Sequence, residues 1–273
     1  MPTIAHVSDL HFGREDPGVV SALGKHLNED PPDLVVASGD FTQRARESQF
    51  RAAAKFFFSL PEPRLAVPGN HDQPLFNLFA RTIDPLRRYR KHIHQSLRPV
   101  FDDGQLCVVG INTTRRLAPR FKGYWKDGVA READLEFACH IFANTPSPIR
   151  VLVMHHPIRA SEDQNRHDVI PNSRHALERL AAAGADAILY GHLHTPHALF
   201  EIESGFQMPR SMLCIMAGTA TSSRLRLDWK QTYNRIWFDG DRCVVDVYAY
   251  DGVGFTRKLQ SSFVRDETGW SKA

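Results

Sequence analysis

Five short segments of this chain carry oxygen and nitrogen side chains that bind metals. They are Asp9-Leu10-His11, Gly39-Asp40, Gly69-Asn70-His71-Asp72, His155-His156 and Gly191-His192-Leu193-His194. Each ends a run of β-branched or apolar residues, which places it at the carboxyl end of a strand, facing one sheet edge. Carboxylates, one amide oxygen and several imidazoles form a mixed oxygen and nitrogen set. Such a set suits a pair of divalent first-row metals, iron, manganese, zinc or cobalt, and not calcium or magnesium alone. Two such ions a few Å apart clamp an in-line displacement at phosphorus. Asp9 and His11 are two positions apart, so both side chains can reach one ion. Asp40 follows a glycine that allows a tight turn, and an anionic oxygen there can bridge two cations. His192 and His194 repeat the two-residue spacing.

No single motif carries this reading. Asp-x-His alone is a weak signal and Gly-Asp alone a weaker one. Asn70-His71 after Pro68-Gly69 has no packing rationale, and Gly-His-x-His is fairly specific. The joint order and the shared strand-end placement decide.

The elements that must position these groups follow from hydrophobic spacing. Thr3 to Val7 and the continuous run Leu34 to Ala37 read as strands, the second covered on both faces. Val19 to Leu27, after Pro17, has helical spacing, as does Gln49 to Leu60 with its aromatic face. Arg64 to Val67 gives a third strand, so the first 70 residues read β-α-β-α-β, a parallel sheet. Residues 81 to 98 are basic and amphipathic, expected as one helix, either solvated or walling the site. Strands follow at Leu106–Ile111, Ile149–Met154 and Asp186–Tyr190, with helices at Ala130–Phe142 and Ser173–Ala183. From Ala198 helical patterns vanish. Residues 198–203, 212–217, 234–239 and 242–250 read as strands, with a hairpin turn at Asp239-Gly240-Asp241. The last twenty residues read as polar and irregular. No repeat or linker interrupts the chain, so one domain is expected over 1–273.

Composition excludes little. Of 273 residues, 42% are hydrophobic and 24% charged, with net charge +3, ordinary for a globular domain and too mildly basic to indicate nucleic-acid binding. Cys107, Cys139, Cys214 and Cys243 are far apart without a Cys-x-x-Cys pair, and read as free thiols. No apolar run approaches 18 residues, and Met1 to His6 leads directly into the first strand. A cytoplasmic protein without a membrane span is expected.

The motif order from Asp9 to His194 resembles the calcineurin-like metallophosphoesterase superfamily, over about two thirds of the chain. That resemblance implies an α/β/β/α four-layer sandwich with a dinuclear metal site on one rim. It assigns Asp9, His11, Asp40 and His194 to one ion, and Asp40, Asn70, His155 and His192 to the other. A hydroxide bridging the ions would be the nucleophile, and His71 would stabilise the transition state or protonate the leaving oxygen, with Asp72 orienting it or capping the next helix. His156 is the lesser candidate beside His155. Among branches of the family, Gly39-Asp40-Phe41-Thr42-Gln43 departs from the protein phosphatase pattern, and His71 from the arginine usual in diacylglucosamine pyrophosphatases. The layout looks like that of bacterial cyclic-nucleotide and glycerophosphodiester phosphodiesterases, so a small phosphodiester is the expected substrate. The alternatives are a nuclease on DNA or RNA, which is not favoured, and a non-catalytic metal-binding scaffold. Arg14, Arg44, Arg115, Arg116, Arg120 and Arg159 lie where one or two could touch substrate, and Lys122 to Lys126 could stack on a base.

Overall fold

Apolar runs with a hidden period of two build the centre of the molecule. In the computed structural model, which describes residues 1–75, 78–116, 127–159, 169–200, 210–225 and 229–273, the elements are these. In order they are β1 (Thr3–Val7), α1 (Pro17–Glu29), β2 (Leu34–Ala37), α2 (Glu47–Phe57), β3 (Arg64–Ala66), a 3-10 turn (Asn70–Asp72), α3 (Leu78–Ile83) and α4 (Arg87–His92). Then come β4 (Val100–Asp102), β5 (Leu106–Gly110), α5 (Glu132–Asn144), β6 (Ile149–Val153), α6 (Ser173–Ala182), β7 (Ala187–Tyr190), β8 (His197–Phe200) and β9 (Leu213–Met216). The chain closes with β10 (Thr232–Asp239), β11 (Arg242–Tyr250), β12 (Phe255–Asp266) and β13 (Gly269–Lys272).

Two sheets result. One runs β13-β12-β11-β10-β1-β2-β3 and the other β4-β5-β6-β7-β9-β8. In the first, β1, β2 and β3 are parallel and β10 joins β1 antiparallel. In the second, β5, β6, β7 and β9 are parallel. Alternate residues of one strand serve two cores. Leu34 and Val36 of β2 join Ile4, Val108, Val151, Leu189 and Ile215 between the sheets. Val35 and Ala37 face the other way, onto Leu23, Leu27, Phe50 and Phe57 of α1 and α2. A matching layer of Leu135, Phe142, Leu177 and Leu180 from α5 and α6 covers the second sheet. The four-layer α/β/β/α expectation therefore holds. Each such buried Leu, Val or Phe side chain contributes about 1.5–3 kcal/mol.

Helix starts follow their local chemistry. Asp16 caps α1, accepting from the amides of Gly18 at 2.8 Å and Val19 at 3.2 Å, with Pro17 at the first position. The four cysteines are free, as expected. No helix among the described residues is long and apolar enough to cross a membrane.

Two expectations are corrected. Residues 81–98 do not form one helix: Pro85 separates α3 from α4 because its ring lacks an N–H to continue the ladder. The basic groups there are tied down, with Glu47 taking Lys91 at 2.7 Å, His92 at 2.8 Å and Arg88 at 3.6 Å. The second correction concerns the last twenty residues, which are ordered strand. β12 extends the first sheet through β11 and β13 finishes its edge. β13 covers only the Phe263–Asp266 end of β12, so Thr256 to Gln260 stay exposed and only Phe255 and Phe263 are buried. That pattern carries too few apolar positions to read as a strand. β4, at the edge of the other sheet, went unrecognised for the same reason.

Trp270 of β13 is 0% exposed and packs edge-on to Phe238, ring centroids 6.2 Å apart. Trp270→Ala should therefore lower unfolding stability by about 3–5 kcal/mol. A urea titration followed by circular dichroism checks this; a loss under about 1 kcal/mol would mean that the terminal strand is an ornament of the sheet.

Candidate metal centre

Every expected segment reaches one rim. β1, β2, β6 and β7 end there in Asp9, Asp40, His155 and His192, and the turn after β3 adds Asn70. The chain turns sharply at each end. Asp9, His11, Asp40, His192 and His194 take φ of 52°, 48°, 53°, 77° and 62°, a left-handed region that Asp and His tolerate better than most residues. Cross-loop hydrogen bonds hold these turns, from the Asp9 amide to the Gly39 carbonyl (3.1 Å) and from the His11 amide to the Asp40 carbonyl (2.9 Å).

Among the described residues, ligand atoms form four overlapping groups, each within 4.8 Å: Asp9, His11 and His194; Asp9, Asp40 and His155; His11, Asp40 and His71; and His155, His156 and His192. His194 Nε2 lies 3.1 Å from Asp9 Oδ1 and 3.0 Å from His11 Nε2. Asp40 divides its carboxylate: Oδ2 lies 3.7 Å from His11 Nε2 and Oδ1 3.4 Å from His155 Nε2. Asn70 Oδ1 is 3.1 Å from that same His155 nitrogen, and His192 Nδ1 is 3.3 Å from it.

The tautomers are set from outside. His155 Nδ1 donates to the Ser38 carbonyl at 2.7 Å and His194 Nδ1 to the Arg224 carbonyl at 3.2 Å. The Nε2 lone pairs therefore point inward. On the first side, the inward Nε2 of His194 meets the Nε2 of His11. Asp9 Oδ1 is buried beside them without a hydrogen-bond donor. Nitrogen lone pairs and a bare carboxylate oxygen facing one another is the donor arrangement of a cation site, and these residues fit divalent transition metals.

Burial and charge set the protonation states. Burial holds His192 down to about 3 and lowers His11 as well, leaving the neutral imidazoles that ligation needs. For Asp9 and Asp40 burial pulls upward but is outweighed, chiefly by His194 and His155 respectively, and both stay low. Burial would lower His155, yet the Asp40 charge raises it to about 9, so an ion that takes its Nε2 lone pair would first displace a proton there.

His71 sits beside this group, its ring edge-on to that of His11 with centroids 4.9 Å apart. Its Nδ1 lies 2.8 Å from the Gln43 carbonyl oxygen, which can only accept, so that nitrogen carries the hydrogen. Asp72 does something other than expected. Its carboxylate accepts from the amides of Gly69 (3.0 Å), Phe41 (3.2 Å) and Thr42 (2.9 Å) and from the Thr42 hydroxyl (3.1 Å). It thus clamps the Asp40 loop to the Asn70 turn and caps its own turn, and Gln43 takes the place expected for it against Nδ1 of His71. Burial, then the Asp40 charge, pushes Asp72 up to about 7 against those donors.

Other supporting residues escaped the sequence reading. Ser8 donates to Asp9 Oδ2 at 2.7 Å, and the His192 amide donates to the same oxygen at 2.9 Å. Thr219 and Thr221 donate to the carbonyls of Asp9 and Leu10, both at 2.7 Å. The polar run 219–223 after the strand at 212–217 was the available signal. His156 pairs with the Thr113 hydroxyl at 2.8 Å through Nδ1. Arg120 and the segment 122–126 lie outside the described residues.

A family model described as calcineurin-like phosphoesterase matches residues 2–196. The chain belongs to that family. It is 28% identical over 165 residues to the glycerophosphodiester phosphodiesterase GpdQ of Enterobacter lignolyticus, covering 56% of each, so the match spans little more than half of that relative. Among solved structures it is similar to PhoD, with TM-score 0.71 at 14% identity over 100% of this chain and 71% of that one. It is also similar to the purple acid phosphatase PPD1 of yellow lupin, with TM-score 0.68 at 12% identity over 95% of this chain and 53% of that one. Those two likenesses show the fold.

The fit around Asp9 is tight at Gly191, where a Cβ would stand 1.9 Å from Ser8 Oγ and 2.6 Å from Asp9 Oδ2. Gly191→Ala should therefore displace Asp9, lowering bound divalent metal and cutting phosphoester hydrolysis by about a hundredfold. Gly254→Ala, where a Cβ meets nothing within 4 Å, is the control. Metal analysis by emission spectrometry on both variants settles it, and parallel metal contents would contradict the packing argument.

Proposed function

We propose that this chain is a metal-dependent phosphodiesterase acting on a small diester, such as the glycerophosphodiester class in the name of its GpdQ relative. In this reading Asp9, His11, Asp40 and His194 hold one ion and Asp40, Asn70, His155 and His192 the other, each iron, manganese, zinc or cobalt. The supporting observation is Asp40, whose two oxygens turn to His11 on one side and His155 on the other. When bound, two divalent ions supply positive charge against the phosphoryl oxygens and acidify a coordinated water.

The chain's own residues do the rest. Gln43 fixes His71 through Nδ1, which leaves Nε2 as the atom to carry a proton to the departing oxygen. Asp72 is a positioning residue: by holding the amides of Phe41, Thr42 and Gly69 it fixes the loop on which Asp40 rides. Asp40 Oδ1 in turn accepts the His71 amide at 2.8 Å, so the acid and the bridging carboxylate move as one unit. Hydroxyls, carbonyls and amides are the outer partners of the Asp and His cluster, an environment better matched to the single charge of a diester than to a monoester.

His71→Ala should retain its metals and lose about 10²–10⁴-fold in kcat, most on substrates with poor leaving groups. Equal losses on nitrophenyl and alkyl esters would rule out proton delivery, and a lost ion would make His71 a ligand.

The proposal itself is tested with manganese, zinc, iron and cobalt added separately to a panel of diesters, cyclic nucleotides and monoesters. The kcat/KM for bis(p-nitrophenyl) phosphate should exceed that for p-nitrophenyl phosphate at least about tenfold, equal to about 1.4 kcal/mol. A monoester preference would move the chain to the phosphatases, and steeply salt-dependent turnover of oligonucleotides would make it a nuclease.

A further inference from the structure

A cavity of about 480 Å³ lies beside the metal centre but contains none of its residues. Its walls are Asp84 to Leu86, Arg90 and Leu97 on one side, and Asn112, Thr114 to Arg116, Val129 and Arg131 on the other. The two sites are joined through consecutive residues. Thr113, whose hydroxyl bonds His156, is followed at once by Thr114, which lines the cavity. One residue step is about 3.8 Å, and His156, the partner of Thr113, lies in one group with His155 and His192.

The cavity is built for negative charge. Among the described residues, four arginines and one carboxylate line it. The carboxylate, Asp84, is already paired with Arg90 at 2.5 Å. Arg131 is committed to the carbonyls of Asn112 and Thr114 and to Asp134. That leaves Arg115 and Arg116, consecutive on the loop after β5, with no carboxylate partner among the described residues. Arg115 Nε is buried without a hydrogen-bond acceptor. Behind them Arg81, only 7% exposed, donates Nε to the Arg116 carbonyl at 2.9 Å and likewise has no carboxylate among the described residues. Burying Arg81 and the Nε of Arg115 without counter-charge is costly unless an anion completes the set. Planar guanidinium pairs match the oxygens of a phosphate.

We propose that this cavity binds a second phosphate on the substrate, so that the preferred diester carries a phosphate monoester beyond the bond that is cut. The inference rests on the phosphodiesterase reading above. Arg115 and Arg116 are the residues that recognise that group, and Arg81 supports the loop beneath them.

The binding arm compares thymidine 3′,5′-bisphosphate with thymidine 5′-phosphate by calorimetry on the protein as purified. The extra phosphate should tighten binding about tenfold or more, and in R115Q/R116Q by less than twofold. R116Q alone, at an exposed position, should lose part of the gain and guards against misfolding of the double variant. The kinetic arm compares kcat/KM for thymidine 5′-(p-nitrophenyl phosphate) with and without a 3′-phosphate. The ratio should be about ten or more in the parent chain and near one in R115Q/R116Q. No gain from the second phosphate in the parent, or a gain that survives in folded variants, overturns the inference. If neither diester is cut while the binding gain and its loss persist, the phosphodiesterase reading fails and the phosphate site stands.

Discussion

The architecture depends on how sharply the backbone must turn at the ends of its parallel strands. A strand delivers its last side chain outward along its own axis. To bring carboxylates and imidazoles from separate strands over one spot, the chain must reverse within a residue or two. Here it does so through left-handed conformations at Asp9, His11, Asp40, His192 and His194. Each costs roughly 1–2 kcal/mol for an ordinary L-residue, somewhat less for Asp and His. Five together approach the net stability of a whole domain, about 5–15 kcal/mol. Such conformations persist only where the surroundings over-determine them.

The surroundings do so with polar atoms rather than bulk. The loop after β1 and the loop after β2 run side by side, the amide of Phe12 bonding the carbonyl of Phe41 at 2.9 Å. Gly39 takes φ 98°, and a Cβ there would stand 2.6 Å from His155 Nδ1, so only glycine lets β2 approach the imidazole of β6. Asp72 ties the third loop to the second. Beneath this polar network, three apolar cores fix the strands from which the loops depart. Rigid strands and cross-tied loops together give a cluster of buried ionisable groups a fixed geometry.

Much of this was legible in the sequence, for a physical reason. A strand buried on both faces must be apolar throughout, so Leu34 to Ala37 and Ile149 to Val153 stand out, and a charged or imidazole side chain just beyond each is conspicuous. What was hidden falls into two kinds. Strands at or next to a sheet edge, such as β4 and β12, bury few side chains, so composition hides them. Interactions through backbone atoms leave no residue signature: the partners of Asp72 are largely amides, those of His155 and His194 are carbonyls, and Gln43 meets His71 through its main chain. The arginine-lined cavity was hidden differently, since Asp84 to Leu97 and Asn112, Arg115, Arg116 and Arg131 become neighbours only once folded.

The clasp on Asp9 also bears on how the molecule is made. Its carbonyl is held by the hydroxyl of Thr219, 210 positions later in the chain, and its strand is flanked on one side by β10. A ribosome adding about 5–20 residues per second needs roughly 10–40 s to cover that interval. During that time β1 can pair with β2 and the Asp9 amide with the Gly39 carbonyl, but the other edge of β1 and the Asp9 carbonyl have no partner. The rim that gathers the carboxylates and imidazoles is thus among the last parts of the molecule to assemble, and a chain released before β10 emerges would carry every one of the proposed ligand residues and yet leave unpaired the far edge of β1, the strand that delivers the first of them.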